Sequence, residues 1–405
     1  MPPIDSPLTH QPAPHLAATG AEDALGNKDA AATVSAAQTL ATRVYREAIQ
    51  AGCAAPSADN NQPWLFRATE AGLSIYCDLT RRLPSDVDGM FDLLSLGAVV
   101  ENIAQWIASA GYGTAVSLKG ASDFAAADGS PSQIHVATVR IVDDQPSDNV
   151  DLADFIWDRH TNRYPFSPVC LTSEELDQVS SVLADTAELR VKWINERPLI
   201  NRCANLVALS DSLRFRYQDF HEELHRQLRL SVAEADRTRD GLDYRTLGLP
   251  PGSKHFLRAI KPWRRMQMLN RLGMARALSL PSIPLIRNSG AIGFLYVKDR
   301  SPHSLLCGGR AMQRIWLQAT KLGLAIHPLG SLPIFTANDS LPAELRVIAD
   351  QIKTRSEGLI PPDDGFFQMA FRIGHPRRGV PIRSQRRDAK DVMLDSKNNN
   401  GSGQN

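Results

Sequence analysis

The sequence predicts an α+β fold made of two similar halves. Two segments of equal length, 97–111 and 309–323, carry apolar residues at helical spacing and have a glycine at each end. Each follows an alternating or apolar run that is typical of a strand, 73–77 in the first case and 291–297 in the second, and each precedes another short strand-like run. Because the order of the flanking elements also matches, we interpret the two segments as an internal duplication.

The chain of 405 residues divides into segments by composition. Residues 1–36 are rich in Pro, Ala, Thr and Asp and are predicted to be disordered, since they have too little apolar surface to offset their ordering entropy. We assign 37–150 to the first half and 151–390 to the second, with an insertion at about 234–287 where Gly and Pro are predicted to break regular elements. The polar tail, 391–405, is predicted to be disordered.

Composition also limits the class of protein. No apolar run is long enough to span a bilayer, and no secretory signal is visible at the N-terminus. A net charge of +1 argues against a nucleic-acid partner. The cysteines are scattered and odd in number, which predicts reduced thiols in a cytoplasmic protein and no metal site: Cys53, Cys77, Cys170, Cys203 and Cys307.

The first informative stretch is Ala55-Pro-Ser-Ala-Asp-Asn-Asn-Gln-Pro-Trp64, between a predicted helix end and a predicted strand. Its polar side chains have two interpretations. Ser57 and Asn60 could hydrogen-bond their own backbone, as such residues usually do in turns. Alternatively, together with Pro56, they could present a hydroxyl, an amide and backbone N–H groups to a ligand.

The second informative stretch is Arg159-His160-Thr161-Asn162-Arg163. It offers two guanidinium groups, an imidazole and a hydroxyl within five residues. Guanidinium groups stay charged and bind phosphate through a planar fork, which favours an anion site. The alternative interpretation is an ordinary loop with solvated arginines.

The first stretch resembles the Ala-Pro-Ser-x-x-Asn-x-Gln-Pro-Trp signature of the FMN-dependent nitroreductase family. The family's Arg-x-Ser/Thr-x-Arg signature does not precede it here, but matches 159–163 instead. The chain therefore looks like the tandem, Acg-type branch, with the resemblance covering about 40–390. This implies a nitroreductase-like fold in which the two half-repeats form an intramolecular pseudo-dimer around one flavin site.

The resemblance also implies which residues contact FMN. Ser57 and Asn60 would lie against the flavin, Arg159 and Thr161 would face the ribityl phosphate, and Arg163 would face the N1/O2 edge. A C-terminal basic arm would clamp the phosphate, and a turn at 328–331 would lie near N5. The complete implied set of cofactor-binding residues is Pro56, Ser57, Asn60, Arg159, His160, Thr161, Arg163, Leu329, Gly330, Arg383 and Arg386.

The resemblance implies an FMN-binding oxidoreductase that passes electrons from NAD(P)H to a small organic acceptor, such as a nitroaromatic or a quinone, with no catalytic side chain assigned. The alternatives are a non-catalytic protein that stores FMN under a closed lid, and a flavin-free relic that serves as an interaction module. The chain could act as a pseudo-dimeric monomer or as a homodimer.

The segment 251–287 has eight basic residues and no acidic one. It is predicted to be a solvated cover, or else a lid that attracts a phosphorylated partner or an anionic membrane surface.

Overall fold

The computed structural model describes residues 43–69, 72–120, 132–142, 150–184, 186, 188–337, 343–380 and 382–394. The predicted disordered segment 1–36 lies outside these ranges, as does most of the predicted tail. The helices are α1 (43–53), α2 (Met90–Ser109), α3 (Ser173–Ser180), α4 (Arg197–Arg216), α5 (Gln218–Gln227), α6 (Val232–Thr238), α7 (Ser253–Ile260), α8 (Trp263–Asn270), α9 (Met274–Ser279), α10 (Ser282–Arg287), α11 (Pro302–Lys321), α12 (Ser331–Ala337) and α13 (Ala343–Ser356).

The strands form two four-stranded antiparallel sheets and one small parallel pair. They are β1 (Trp64–Thr69), β2 (Gly72–Asp78), β3 (Gly113–Leu118), β4 (Gln133–Val142), β5 (Arg190–Ile194), β6 (Leu228–Arg229), β7 (Leu242–Asp243), β8 (Ala291–Val297), β9 (Ala325–Pro328) and β10 (Phe366–Gly374).

The two large sheets have the same topology. The first has the order β1-β2-β4-β3 and the second β5-β8-β10-β9, so the strands of each half pair in the order first, second, fourth, third. In each half a long helix, α2 or α11, connects the second strand to the third. The predicted α+β class is confirmed, and the matching topology is what an internal duplication predicts. The pseudo-dimer itself stays a prediction.

The two long helices cross at a pair of glycines. A Cβ added to Gly97 would lie 2.2 Å from the Leu306 carbonyl oxygen, and one added to Gly309 would lie 2.2 Å from the Leu94 carbonyl oxygen. Only a residue without a side chain permits this approach of two helix backbones. The prediction that these glycines begin the helices is wrong, because each occupies the eighth position of a 20-residue helix.

A buried polar cluster joins the same helices next to this crossing. Glu101 on α2 accepts hydrogen bonds from Nε of Arg310 (2.9 Å) and Nε of Arg314 (2.8 Å) on α11. Burial opposes ionisation of Glu101, but the two arginines outweigh it and lower its pKa to about 2. Gln313 donates to Asn102 (2.6 Å). Because unpaired buried charges are costly, the cluster favours a single register of the two helices.

The C-terminal arm returns from the second half to the sheet of the first. Phe66 in β1 donates its N–H to the Val392 carbonyl (2.8 Å) and accepts from the N–H of Leu394 (2.7 Å). The prediction of disorder from 391 onward is therefore wrong for 391–394, since a free strand edge offers backbone partners to any chain that reaches it.

The insertion is more regular than predicted. Residues 253–287 form the four short helices α7 to α10, between the Gly and Pro residues that were predicted to prevent regular structure. Three of their residues, Ile260, Met266 and Ala275, bury a small apolar cluster of their own, with Phe215 of α4 packed against it. Because this burial supplies local stability, helices form in spite of the interruptions.

We expect Gly97→Ala to destabilise the protein. Alanine is the better helix former by about 1 kcal/mol, but its methyl group would meet a backbone carbonyl that cannot rotate away, and overpacking of this kind costs about 1–3 kcal/mol or more. The net change should lower the midpoint of thermal unfolding. Gly379→Ala, where nothing lies within 4 Å of an added Cβ, is the control. Equal midpoints for the two variants would contradict the assigned role of the crossing.

Candidate functional site

The turn between α1 and β1 has an unusual backbone. Asp59, Asn60 and Gln62 have positive φ values of 45°, 57° and 51°, although none is glycine. Such conformations persist where surrounding contacts hold them, often at functional sites. Ser57 accepts a hydrogen bond from the Gln62 N–H (3.0 Å), so it stabilises its own turn as one interpretation of the sequence predicted.

Asn60 connects this turn to two distant segments. Its Nδ2 donates to the carbonyls of Gly241 and Gln385, both at 3.1 Å, and its Oδ1 accepts from Nη1 of Arg386 (2.8 Å). The side chain lines neither of the cavities described below. In this structure the amide positions Arg386, and the contact between Asn60 and the flavin stays a prediction.

The loop 159–163 is attached to the second sheet. Thr161 forms a bridge with Ile326 of β9, and the N–H of Asn162 donates to the Ile326 carbonyl (3.1 Å). Beneath the loop lies Arg372, whose Nη2 donates to the carbonyls of Asn162 (3.1 Å) and Tyr164 (2.9 Å). The sequence analysis missed Arg372. The available signal was the one charged residue in the mostly apolar run of β10, where a buried charge needs dedicated partners.

A cavity of about 400 Å³ lies between α1, the loop 156–161 and the C-terminal arm. It brings together five predicted site residues from two distant segments of the chain: Arg159, His160, Thr161, Arg383 and Arg386. Two more arginines, Arg239 and Arg387, also line it, whereas Asp388 is its only acidic residue among those that the structure describes.

The cavity is short of negative charge. Arg159 is 5% exposed, stacks over the Trp316 ring at 4.6 Å and donates to the Ala54 carbonyl (3.0 Å), while its Nε has no partner. Burial, and then the charges of Arg386 and Arg383, lower the pKa of Arg159. Nε of Arg239 and Nη1 of Arg387 are buried without a partner as well. A bound anion would compensate the surplus positive charge of these arginines.

A second cavity, of about 420 Å³, adjoins the first at Thr161, which lines both. Five other predicted site residues line it: Pro56, Ser57, Arg163, Leu329 and Gly330. The floor includes Gly309 of the helix crossing, so the contact that joins the two halves also bounds the cavity. The turn at 55–60 and the loop at 159–163 therefore meet at one site, although about a hundred residues separate them.

The charged groups of this second cavity are partly paired. Asp59 accepts from Nη2 of Arg214 (3.3 Å), and Nη1 of Arg163 donates only a long hydrogen bond to the Thr246 carbonyl (3.4 Å). Burial lowers the pKa of Arg163, and the charge of Asp59 partly opposes this. Arg163 is thus a partly buried cation that lines the cavity and makes only this one long hydrogen bond through Nη1.

Two predicted positions at 328–331 differ in how the protein uses them. The Leu329 N–H donates to the Ala370 carbonyl (2.8 Å) and is therefore committed to the protein. A Cβ on Gly330 would make ordinary contact with the Phe91 ring at 3.5 Å. The protein itself does not require glycine there, so any such requirement would have to come from a ligand.

The insertion covers the second cavity as a lid, and the lid begins earlier than predicted. Leucines from α5 to α9 and their connections form its roof: Leu224, Leu228, Leu242, Leu247, Leu249, Leu257 and Leu278. The lid is fastened to the turn at 55–62, because Gly241 donates to the Asn60 carbonyl (3.1 Å) and Gln62 donates to the Arg239 carbonyl (2.8 Å). Glu223 in α5 accepts from the N–H (2.7 Å) and hydroxyl (2.6 Å) of Ser85.

No family model matches the chain. Among curated proteins, it is 27% identical over 290 residues to "Uncharacterized protein MT1398" of Mycobacterium tuberculosis, a match that covers 71% of this chain and 38% of the relative. It is 29% identical over 226 residues to "Putative NAD(P)H nitroreductase acg" of the same species, covering 51% of this chain and 64% of the relative. The chain thus spans about a third to two thirds of the length of these relatives.

Solved structures with a similar arrangement include a nitroreductase with bound FMN from Bacteroides fragilis and the FMN-dependent nitroreductase NfnB from Mycobacterium smegmatis in complex with NADPH. Their sequence identities are 9% and 15%, both TM-scores are 0.34, and they cover 61% and 62% of this chain and 99% and 100% of their own lengths. The similarity to acg confirms the predicted resemblance to the nitroreductase family.

We expect Asn60→Ala to loosen the lid and the C-terminal arm together, because it removes hydrogen bonds to Gly241, Gln385 and Arg386. Limited trypsin digestion should cleave within 251–287 several-fold faster than in the unchanged chain. Asn195→Ala, which removes a 3.1 Å amide-to-carbonyl bond to Leu171 outside the lid, is the control. If both variants are digested at the same rate, Asn60 does not fasten the lid.

Proposed function

We propose that this chain binds one FMN and acts as a nitroreductase-type oxidoreductase, taking electrons from NAD(P)H and passing them to a small organic acceptor. The observation that carries the proposal is a pair of cavities that meet at Thr161, one short of negative charge and the other largely apolar with a partly buried arginine, Arg163. FMN has the same two parts, a phosphate on a polar chain and a flat ring. The similarity to acg supports the same conclusion.

The arginine-lined cavity fits a phosphate. Arg159, Arg383 and Arg386 all line this cavity and would hold the phosphate. Burial lowers the pKa of Arg386 to about 10, and a bound anion would raise it again. Asn60 positions this arginine by accepting its Nη1 hydrogen bond.

The larger cavity fits a ring that carries negative charge when reduced. Arg163 would stabilise that charge, while Ser57, Pro56 and Gly330 would border the ring. When bound, FMN would supply the electron transfer, and the protein would orient it and set its potential. The roof of leucines would exclude water from the ring and favour an acceptor with an apolar ring, such as a nitroaromatic or a quinone.

The storage alternative predicts that NADPH does not reduce the bound flavin, whereas the oxidoreductase predicts that it does. The absorbance spectrum of the purified chain, recorded after reconstitution with FMN and again after addition of NADPH, tests all three interpretations. We expect a bound flavin that bleaches with NADPH and recovers its colour on adding a quinone. Bound flavin that NADPH leaves oxidised would support storage, and failure to retain FMN would support the flavin-free interpretation.

Two substitutions should separate the roles of the cavities. Arg386→Gln should weaken FMN binding roughly tenfold or more, since a charged hydrogen bond contributes about 1.5–3 kcal/mol, and should leave the reduction potential nearly unchanged. Arg163→Ala should lower the potential of the bound flavin, because it removes the cation that stabilises the reduced ring. The measurements are fluorescence titration of FMN and a spectroscopic redox titration.

Arg378→Ala is the matched control, because this exposed arginine only stacks on Tyr164 at 4.0 Å and lines neither cavity. It should change neither quantity. If Arg163→Ala leaves both the affinity and the potential unchanged, the assignment of Arg163 is wrong.

A further inference from the structure

The outer side of the lid is strongly basic. Seven of the eight basic residues in 251–287 are exposed, and no residue of this segment is acidic. The exposed ones are Arg258, Lys261, Arg264, Arg265, Arg271, Arg276 and Arg287. Every ion pair among the residues that the structure describes lies outside this segment. Within the described part of the chain, no carboxylate balances this charge.

Large apolar side chains are exposed on the same segment. Phe256, Met268, Leu272 and Leu280 are 38%, 60%, 85% and 49% exposed, although they belong to helices or helix ends that bury other apolar residues. Single exposed apolar residues need no explanation. Here, however, four of them lie within a stretch of 25 residues of the basic segment. Leu272, next to the exposed Arg271, keeps most of its apolar surface in water, which is unfavourable unless another molecule covers it.

The arrangement of the short helices explains why these residues face outward. Helices α8, α9 and α10 all pack against α4, and each contributes a buried residue on that side: Met266, Ala275 and Ile286. The exposed basic and apolar residues of these helices lie on the sides turned away from α4. They form the outer surface of the lid, which we call the basic lid face and define as the exposed residues of 254–287.

We propose that the basic lid face docks on an anionic lipid bilayer. Basic side chains that alternate with Leu, Phe and Met on short amphipathic helices match the interface of such a bilayer, where the apolar groups enter the acyl boundary and the cations meet lipid phosphates. A nucleic acid would satisfy the arginines alone, since its phosphate backbone offers nothing to Met268 or Leu272. No helix in the described ranges is long and apolar enough to cross a membrane, so the contact would be peripheral.

The docking surface borders the opening of the larger cavity. Leu249 lines that cavity and is also 44% exposed, and it lies just before the basic segment begins. Leu257 and Leu278 line the cavity from α7 and α9, which carry Arg258 and Arg276 on the outside. Docking would therefore place the bilayer next to the roof of the cavity. This proposal does not depend on the proposed function, because its test requires no flavin.

The experiment is co-sedimentation of the full chain with vesicles of phosphatidylcholine alone, or of phosphatidylcholine with an equal part of phosphatidylglycerol. We expect binding to the anionic vesicles, little binding to the neutral ones, and weakening as salt is raised. The partition coefficient of the variant R264E/R271E/R276E onto anionic vesicles should fall about a hundredfold, because each basic residue near an anionic bilayer contributes to binding. The side chains of these three arginines make no hydrogen bond or ion pair that the structure describes, so the variant should fold.

The control K353E/R355E/R377E reverses the same number of exposed charges outside the lid and should bind anionic vesicles within about twofold of the unchanged chain, because its substitutions leave the basic lid face intact. The variant M268S/L272S keeps every charge and should also lose binding to vesicles. Equal loss in the control, or binding to both vesicle types alike, would overturn the proposal. The proposal would also be overturned if M268S/L272S bound the anionic vesicles fully and the unchanged chain bound a double-stranded DNA fragment comparably. That result would indicate a surface that binds polyanions in general.

Discussion

The crossing of α2 and α11 at Gly97 and Gly309 is the contact on which the rest of the structure depends. It brings two helix backbones so close that neither position has room for a Cβ, and Glu101 with its two arginines sets the register next to it. Gly309 is also part of the cavity floor. Because the crossing fixes how the two sheets face each other, it fixes the distance between the turn at 55–62 and the loop at 159–163.

The site is assembled from segments that lie far apart in the sequence. Asn60 lies at the centre of this assembly, with the lid bound through Gly241 and the arm bound through Gln385 and Arg386. One amide thereby links the cover of the apolar cavity to a cation of the arginine-lined cavity. The lid and Arg386 are consequently held by the same turn, in which Asp59, Asn60 and Gln62 have positive φ values.

Much of the fold could be predicted because it depends on local patterns. The apolar run at 291–297 matches β8 residue for residue, and Thr172 with Glu175, a local pattern typical of a helix start, forms a complete capping box at α3. Errors occurred where tertiary contacts overrode local signals. Glycine at 97 and 309 indicated helix starts, but the close approach of a second helix required glycine within the helices. Gly and Pro indicated irregular structure at 234–287, but a small shared core stabilised four helices there.

By itself, the sequence determined the α+β class, the repeated order of elements and the two short motifs, because helical spacing, strand alternation and turn chemistry act over a few residues. It also determined the composition of the lid segment. Only the tertiary structure decided that Asn60 binds protein instead of facing the cavity, that Arg372 supports the loop at 159–163, and that Arg159 is left with an unpartnered nitrogen. The physical reason is that burial and hydrogen-bond partners of a polar group depend on which distant segments pack against it, and no local pattern records that.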